Sequence, residues 1–357
     1  MKILILALSG IGDALMFSPA LKLLRKSNPK AQIDMIVMFK GAKEIYQHNT
    51  NLNNLIHFDF LKQGLIKSLK FILSLRRKYD VSINVYPSNR KEYNIINFLI
   101  GAEKRFAVKY KRMHFRNLGW LNNNLVDEND ETHNVESNVK MVMSLLKERI
   151  EEIPKMEIFF SKEDEEFAKK FLIQKIINEN HFVIGIHPGC STLKNHIKRR
   201  WEPEKFIQLS KNLISRYDAR ILIFGGPDEK ELKDFILRGI NSDNAISIET
   251  ETLLQSSAIM KRCNLFITND SALMHIASAL QLNVIALIGP TNFHYIHPWK
   301  TNHRIVSLNL SCSPCFFYSP KPLRCSRSDI KFKCIKELSV DYVFSEIKSF
   351  IKQMEIN

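Results

Sequence analysis

The chain reads as an α/β protein of two similar halves, each a parallel sheet with helices on both faces. Three observations predict it. Short β-prone runs alternate with helical stretches along the chain, which argues for βαβ units rather than an antiparallel meander. Each run ends in a glycine-rich or polar turn, where open parallel sheets hold their ligands. The pattern then restarts after Pro154, so that 357 residues divide into two units near the usual domain size of about 150 residues.

Taken in order, residues 2–8 are an apolar strand, followed by Ser9-Gly10-Ile11-Gly12-Asp13 and a helix over 14–26. Residues 33–38 are the next strand. A long helical stretch over 61–79 precedes a strand at 81–85, and a helix over 136–149 ends the half. In the second half Ser161 is an N-cap with acids in the turn after it, and a helix continues over 165–177. Four strand-and-turn units follow: 182–186 before His187-Pro188-Gly189, 220–224 before Gly225-Gly226-Pro227, 265–268 before Asn269-Asp270, and 284–288 before Gly289-Pro290-Thr291. A last helix over 340–354 carries Val343, Ile347, Phe350 and Ile351 on one face. The expected boundaries are 1–160, 161–335 with a Cys-rich loop at 312–334, and a C-terminal helical segment 336–357.

Composition narrows the function. Apolar residues make up 45% and charged residues 25%, a globular balance that excludes disorder and fibrous architectures. Lysine plus arginine number 52 against 37 acids, a net charge of +15, which points to phosphates, nucleic acid or an acidic membrane surface as company. No apolar run approaches the roughly 20 residues that span a bilayer. The run at 3–8 is too short for a secretory signal, and Asp13 puts a carboxylate where such a segment would continue. A reducing cytosol is therefore expected, in which the six cysteines are not scattered disulfides.

Three loops can carry chemistry. In the first, Gly10 and Gly12 let the backbone turn sharply and approach a ligand at a helix N-terminus. It is no dinucleotide fingerprint, because Leu15 stands where a third glycine belongs and no Walker lysine follows. Asp13 is either a helix cap or a general base for a hydroxyl. The second loop, His187 to Thr192 with Lys194, Lys198, Arg199 and Arg200, ends in clustered cations suited to a diphosphate; a solvated basic loop is the plain alternative. In the third, small residues after Asp270 leave amides free to grip phosphate at a helix end. Asp270 itself accepts from sugar hydroxyls or caps the helix, and His275, one turn on, is either a donor-binding residue or a buried polar group with a partner.

These loops in this order resemble glycosyltransferase family 9, the ADP-heptose:lipopolysaccharide heptosyltransferases. The matching pieces are Gly12-Asp13 ahead of Pro19-Ala20-Leu21, a basic residue two before Trp201-x-Pro203, Gly226-Pro227-Asp228-Glu229, Asp270-Ser271-Ala272-Leu273-Met274-His275, and Gly289-Pro290-Thr291. They extend over residues 1–298. The resemblance implies a GT-B fold: two Rossmann-like domains facing across a cleft, the N-terminal one for acceptor, the C-terminal one for nucleotide-sugar, with the last helix returning to the N-terminal domain. It implies Asp13 as catalytic base, Arg199 (often lysine in the family) as phosphate-binding cation with Lys198 and Arg200 as substitutes, Glu229 near the ribose, Asp270 near the donor sugar, and Ser271 with Ala272 as the backbone phosphate grip. Glycine often stands at the position of Ala272. The implied reaction is inverting transfer of a heptose or related sugar from an ADP-sugar to a hydroxyl of the lipopolysaccharide inner core. No cofactor is implied for it, because cations and a helix N-terminus neutralise the leaving diphosphate.

Cys312, Cys315, Cys325 and Cys334 cluster in a short irregular stretch. A C-x-x-C pair plus two further thiols suggests a structural zinc or iron site, with free thiols or a redox pair as the alternative. The cluster is similar to the iron-binding finger of autotransporter heptosyltransferases, which brings in a protein acceptor as a variant. Residues 103–116 are densely basic and interleave Phe106, Tyr110 and Phe115, a pattern open to single-stranded nucleic acid or to acidic acceptor groups and anionic lipid. A basic nucleic-acid-binding or non-enzymatic protein is the competing class, and no nucleic-acid motif supports it. The helix over 61–79 sets lysines beside leucines, either to cover the sheet or to dock on a membrane. The expected setting is cytoplasmic, peripheral on the inner face of the inner membrane.

Overall fold

The computed structural model describes residues 1–317 and 322–356. Met1–Phe159 forms one compact unit; Phe160–Phe317, with the chain beyond 321, forms a second.

The first unit runs β1 (Lys2–Ala7), α1 (Ile11–Leu15), α2 (Ser18–Ser27), β2 (Gln32–Val37), α3 (Lys40–Tyr46), β3 (Asn54–His57), α4 (Gly64–Ser74), β4 (Val81–Asn84), α5 (Lys91–Ile100), β5 (Lys104–Lys109), β6 (Asn124–Asp127) and α6 (Asn134–Leu146). Its strands are parallel in the order β3-β2-β1-β4-β5-β6. Ile3 to Ala7 of β1 are all buried, as a strand covered on both faces must be. The chain steps away from β1 in one direction and later returns to its other side as β4. The loops after these two strands therefore part, and a crevice opens at their carboxyl ends.

The second unit runs α7 (Lys162–Gln174), β7 (Val183–His187), α8 (Pro203–Tyr217), β8 (Arg220–Ile223), α9 (Lys230–Ile240), β9 (Ala245–Ser247), α10 (Leu253–Met260), β10 (Leu265–Asn269), α11 (Ala272–Ala279), β11 (Asn283–Leu287), α12 (Phe293–Ile296), β12 (His303–Val306), α13 (Lys333–Lys336) and α14 (Val340–Ile356). The order β12-β11-β10-β7-β8-β9 repeats that of the first sheet when counted from its own first strand. Here the crevice lies between β7 and β10, which pair directly.

Ser161 caps α7 as expected, its hydroxyl accepting the Asp164 N–H at 3.2 Å. The strands that the sequence reading passed over include the four sheet edges, β3, β6, β9 and β12, each of three or four residues. Short, half-polar edges discourage further pairing and so carry little apolar signal. β5 was hidden in the basic segment: Phe106 and Tyr110 are buried, so these two rings are core rather than platforms for nucleic-acid bases, and Phe115 alone of the three is exposed. The helix expected over 61–79 is shorter, because Gly64 (φ 73°) precedes its regular turns and Arg77 (φ 56°) takes a left-handed conformation beyond its end. Within the second unit α14 packs on α8 and β12, and Val343, Ile347, Phe350 and Ile351 join that unit's core.

Candidate functional site

In the first unit, the loop leaving β1 carries Gly10, Gly12 and Asp13. Asp13 sits in the first turn of α1, and its Oδ2 accepts the Gly10 N–H at 3.1 Å. The capping role is thus realised. A carboxylate has two oxygens and can cap with one while serving chemistry with the other. The glycines act otherwise than expected: Gly10 has φ −58°, an ordinary value. What glycine allows there is close approach, since a Cβ would lie 3.2 Å from Asp13 Oδ2. The crevice between β1 and β4 also holds Tyr93, whose hydroxyl donates to the Leu8 carbonyl at 2.8 Å. Burial raises that phenol to about 12, with Arg90 opposing and the Asp13 charge adding to the rise. The Ser9 hydroxyl donates to the Pro87 carbonyl and ties the two loops together.

In the second unit, the ends of β7, β8 and β10 bring together most of the expected donor residues. His187 ends β7, and its Nε2 lies 3.0 Å from Glu229 Oε2. Arg200 Nη2 donates to Glu229 Oε1 at 3.0 Å, and the Gly226 N–H to Oε2 at 3.1 Å. Burial alone would push the Glu229 carboxyl up, but His187, Gly226 and Arg200 together hold it below the usual range. An ionised carboxylate only accepts, so His187 Nε2 carries a proton, and in the neutral imidazole Nδ1 is then an acceptor. The Ser271 hydroxyl, 2.8 Å from Nδ1, is then the donor. Ser271 is the N-cap residue of α11, yet its side chain makes no cap bond. The Met274 N–H bonds the Ser271 carbonyl at 3.2 Å, while among the described residues the Ala272 and Leu273 amides are left for another acceptor, at the positive end of the helix dipole.

A second pair stands alongside. Arg199 Nη1 donates to Asp270 Oδ2 at 2.5 Å, and the Thr291 hydroxyl donates to the same oxygen at 2.7 Å. Arg199 Nη2 and His196 Nδ1 are 3.2 Å apart. Arg199 and Asp270 are both buried, so the pair holds the guanidinium in place and the alternative of a solvated loop is excluded at that position. The loop end is locked by Trp201, fully buried, whose backbone N–H donates to Asn269 Oδ1 at 3.0 Å and whose indole N–H donates to the Leu338 carbonyl at 2.8 Å. Asn269 also donates to the Pro188 carbonyl at 2.7 Å, which clamps the β7 and β10 loops together.

Of the expected donor residues, Arg199, Glu229, Asp270, Ser271 and Ala272 gather at this crevice. Lys198 is exposed and enters none of these bonds. His275 is buried, but among the described residues its Nδ1 has no partner. Burial lowers its pKa to about 4, with His297 and Arg199 adding to the effect and Asp270 opposing it. Asp270 does not cap the helix; Ser271 holds that position. Two residues without an assigned role, His187 and Thr291, turn out to be structural partners, and Arg200, expected as a substitute phosphate cation, holds Glu229. Each lies in a post-strand turn or basic run, but nothing in the one-dimensional pattern shows which carboxylate it meets.

The cysteines do not form the expected metal site. Among the described residues, no three His, Cys, Asp or Glu side chains converge to hold a metal ion. Cys325 Sγ accepts the Phe332 N–H at 3.3 Å, Cys312 Sγ accepts from Arg327 at 3.5 Å, and Cys334 is buried beside Gly289. Burial raises the Cys334 thiol to about 11, and the other three thiols add to the rise. A four-thiolate tetrahedron is not assembled. Residues 318–321 of the Cys-rich loop lie outside the described residues.

Residues 68–323 match the sequence profile of glycosyltransferase family 9 (heptosyltransferase). The chain is 27% identical to the lipooligosaccharide heptosyltransferase 2 of Campylobacter jejuni, over the full length of both. It is 24% identical to lipopolysaccharide heptosyltransferase 2 of Escherichia coli, over 86% of this chain and 88% of that one. Its fold matches the solved E. coli ADP-heptose LPS heptosyltransferase II with a TM-score of 0.74 at 20% identity, covering 99% of this chain and 100% of the other. The paired six-stranded parallel sheets are those of a GT-B glycosyltransferase, and the chain belongs to glycosyltransferase family 9.

Proposed function

We propose that this glycosyltransferase moves a heptose from an ADP-sugar to a hydroxyl of the lipopolysaccharide inner core, with inversion at the anomeric carbon. The observation that carries the reading is the second unit's crevice: Ser271 turned away from its helix, with Arg199, Asp270 and Glu229 fixed around it. ADP-sugar is the donor class that suits it. The diphosphate meets the free amides at the start of α11 and the cations of the loop before Trp201, while Glu229 accepts from a ribose hydroxyl and Asp270 orients the sugar. In the first unit Asp13 acts as the base. The acceptor oxygen attacks the anomeric carbon, its proton passes to the Asp13 carboxylate, and the bond from that carbon to the phosphate oxygen breaks. ADP leaves with the electron pair.

A lipid-anchored acceptor puts this reaction at a membrane surface, the cytoplasmic face of the inner membrane. Among the described residues, no helix is long and apolar enough to cross a membrane, so the association proposed is peripheral.

The test is a thermal-shift panel of ADP-, UDP- and GDP-sugars, followed by transfer to heptose-deficient core acceptor. A ligand at ~100 times its dissociation constant stabilises by about 2.7 kcal/mol, a shift expected for ADP-sugars alone. A response only to UDP- or GDP-sugars overturns the heptose donor.

A further inference from the structure

Helix α4 has two apolar faces, and only one is used by the fold. Ser68 and Ile72 are buried, and Phe71 stacks on Phe58 with ring centroids 4.0 Å apart, so one side is fixed against the first unit. Leu65, Leu69 and Leu73 recur every fourth residue on another side, beside Ile66. All four are exposed, Leu65 at 84% and Ile66 at 72%. Leu61, just ahead of the helix, is exposed as well. Single surface leucines need no explanation, but a stripe of them on one helix does.

The charges flanking the stripe identify what covers it. Lys70 is exposed and lies next to Ile66 and Leu73 on the helical wheel, opposite the buried side, while Lys67, also exposed, lies further round toward Phe71. From residue 60 to residue 79 the sequence holds Lys62, Lys67, Lys70, Arg76, Arg77 and Lys78, and no aspartate or glutamate. Neighbouring α5, which packs on α4, also exposes Ile95 and Phe98. An apolar stripe in a segment that carries six cations and no acid is complementary to an anionic bilayer, where side chains enter the acyl boundary and lysines meet phosphate headgroups.

We propose that α4 is an interfacial helix that docks the first unit on an anionic lipid surface through Leu61, Leu65, Ile66, Leu69 and Leu73, with Lys70 at the headgroups. For its purpose such docking rests on the transfer to a lipid-anchored acceptor proposed above. Its test does not depend on catalysis.

The full chain is sedimented with vesicles containing phosphatidylglycerol and with vesicles of phosphatidylcholine alone. Binding to the former and not the latter is expected, and it should weaken with salt. Leu65→Gln/Leu69→Gln and Lys67→Glu/Lys70→Glu should each lower the partition coefficient by about tenfold or more. Thermal midpoint and ADP-sugar response should not change, because these side chains already face solvent. Transfer to a soluble, deacylated core acceptor should survive in both variants. Vesicle binding by the leucine variant equal to that of the unaltered chain overturns the proposal. So does a lipid-free dimer, seen by analytical ultracentrifugation, that the leucine substitutions dissociate, since the stripe would then belong to a second copy. Selective vesicle binding by a chain that transfers no sugar supports the docking surface and counts against the transfer reading instead.

Discussion

His187 Nδ1 stands 2.8 Å from Ser271 Oγ, and this contact holds a cap residue away from its own helix. Serine at an N-cap ordinarily accepts an amide of the first turn. Here Glu229 fixes the imidazole tautomer, the imidazole takes the serine hydroxyl, and the start of α11 stays open.

The arrangement predicts a non-additive pair of variants. In His187→Ala the freed serine hydroxyl can rotate onto its helix and compete with the diphosphate. Donor affinity should fall about tenfold, or 1.4 kcal/mol. In His187→Ala/Ser271→Ala no hydroxyl remains to compete, and part of the affinity should return. A donor-binding titration across the cycle measures the coupling; additive losses would mean that the serine does not compete.

Asp13→Asn separates the base from the cap. Asparagine keeps an oxygen that can accept the Gly10 N–H, so the thermal midpoint should barely move. It cannot take up the acceptor proton, and turnover should drop by about 10² to 10⁴ with donor affinity intact. Steady-state kinetics beside a melting curve decides it, and unchanged turnover reduces Asp13 to a cap.

Gly189 and Gly226 form a matched pair. A Cβ on Gly189 would lie 1.7 Å from Glu229 Oε1, whereas one on Gly226 meets nothing within 4 Å. Gly189→Ala must displace Glu229 and break its bonds to His187 and Arg200. It should weaken ADP-sugar binding clearly, while Gly226→Ala stays within about 0.5 kcal/mol of the unaltered chain in stability. Isothermal titration and chemical denaturation of both variants report the contrast.

His275 and His196 set an acid limit on stability. Burial comes first in lowering both to about 4, and Arg199 adds to each. Their unfolded values are near 6.5, so between pH 6.5 and 4 the unfolded chain binds more protons and stability falls as pH falls. Above about 6.5 the contribution is complete. Urea unfolding at pH 7 and pH 5 should show the loss, and His275→Gln should make it smaller.

The fold was largely legible in the sequence because buried parallel strands such as β1 and β7 are continuous apolar runs ending in distinctive turns. Edge strands such as β9 and β12 were not, since their half-polar residues look like loop. At the site, Arg199, Glu229, Asp270 and Ser271 stood out by residue type and motif. Their pairing did not. That Arg199 meets Asp270, 71 positions later, while its neighbour Arg200 meets Glu229, depends on which strand ends the sheet order brings side by side. The exposed stripe of α4 was hidden for another reason: apolar residues at helical spacing look the same whether they face a sheet or water. The cysteine spacing fixes distance along the chain only, and among the described residues no metal-holding group supports the site it suggested.

The indole of Trp201 reaches forward to the carbonyl of Leu338, at the doorstep of α14. A premature stop just before that helix would therefore act far upstream of the cut. It would strip α8 of its cover, expose the largest ring at the heart of that lobe, and slacken the strap from which Arg199 and Arg200 reach their carboxylates. The tail of this enzyme serves as the buttress of its second lobe.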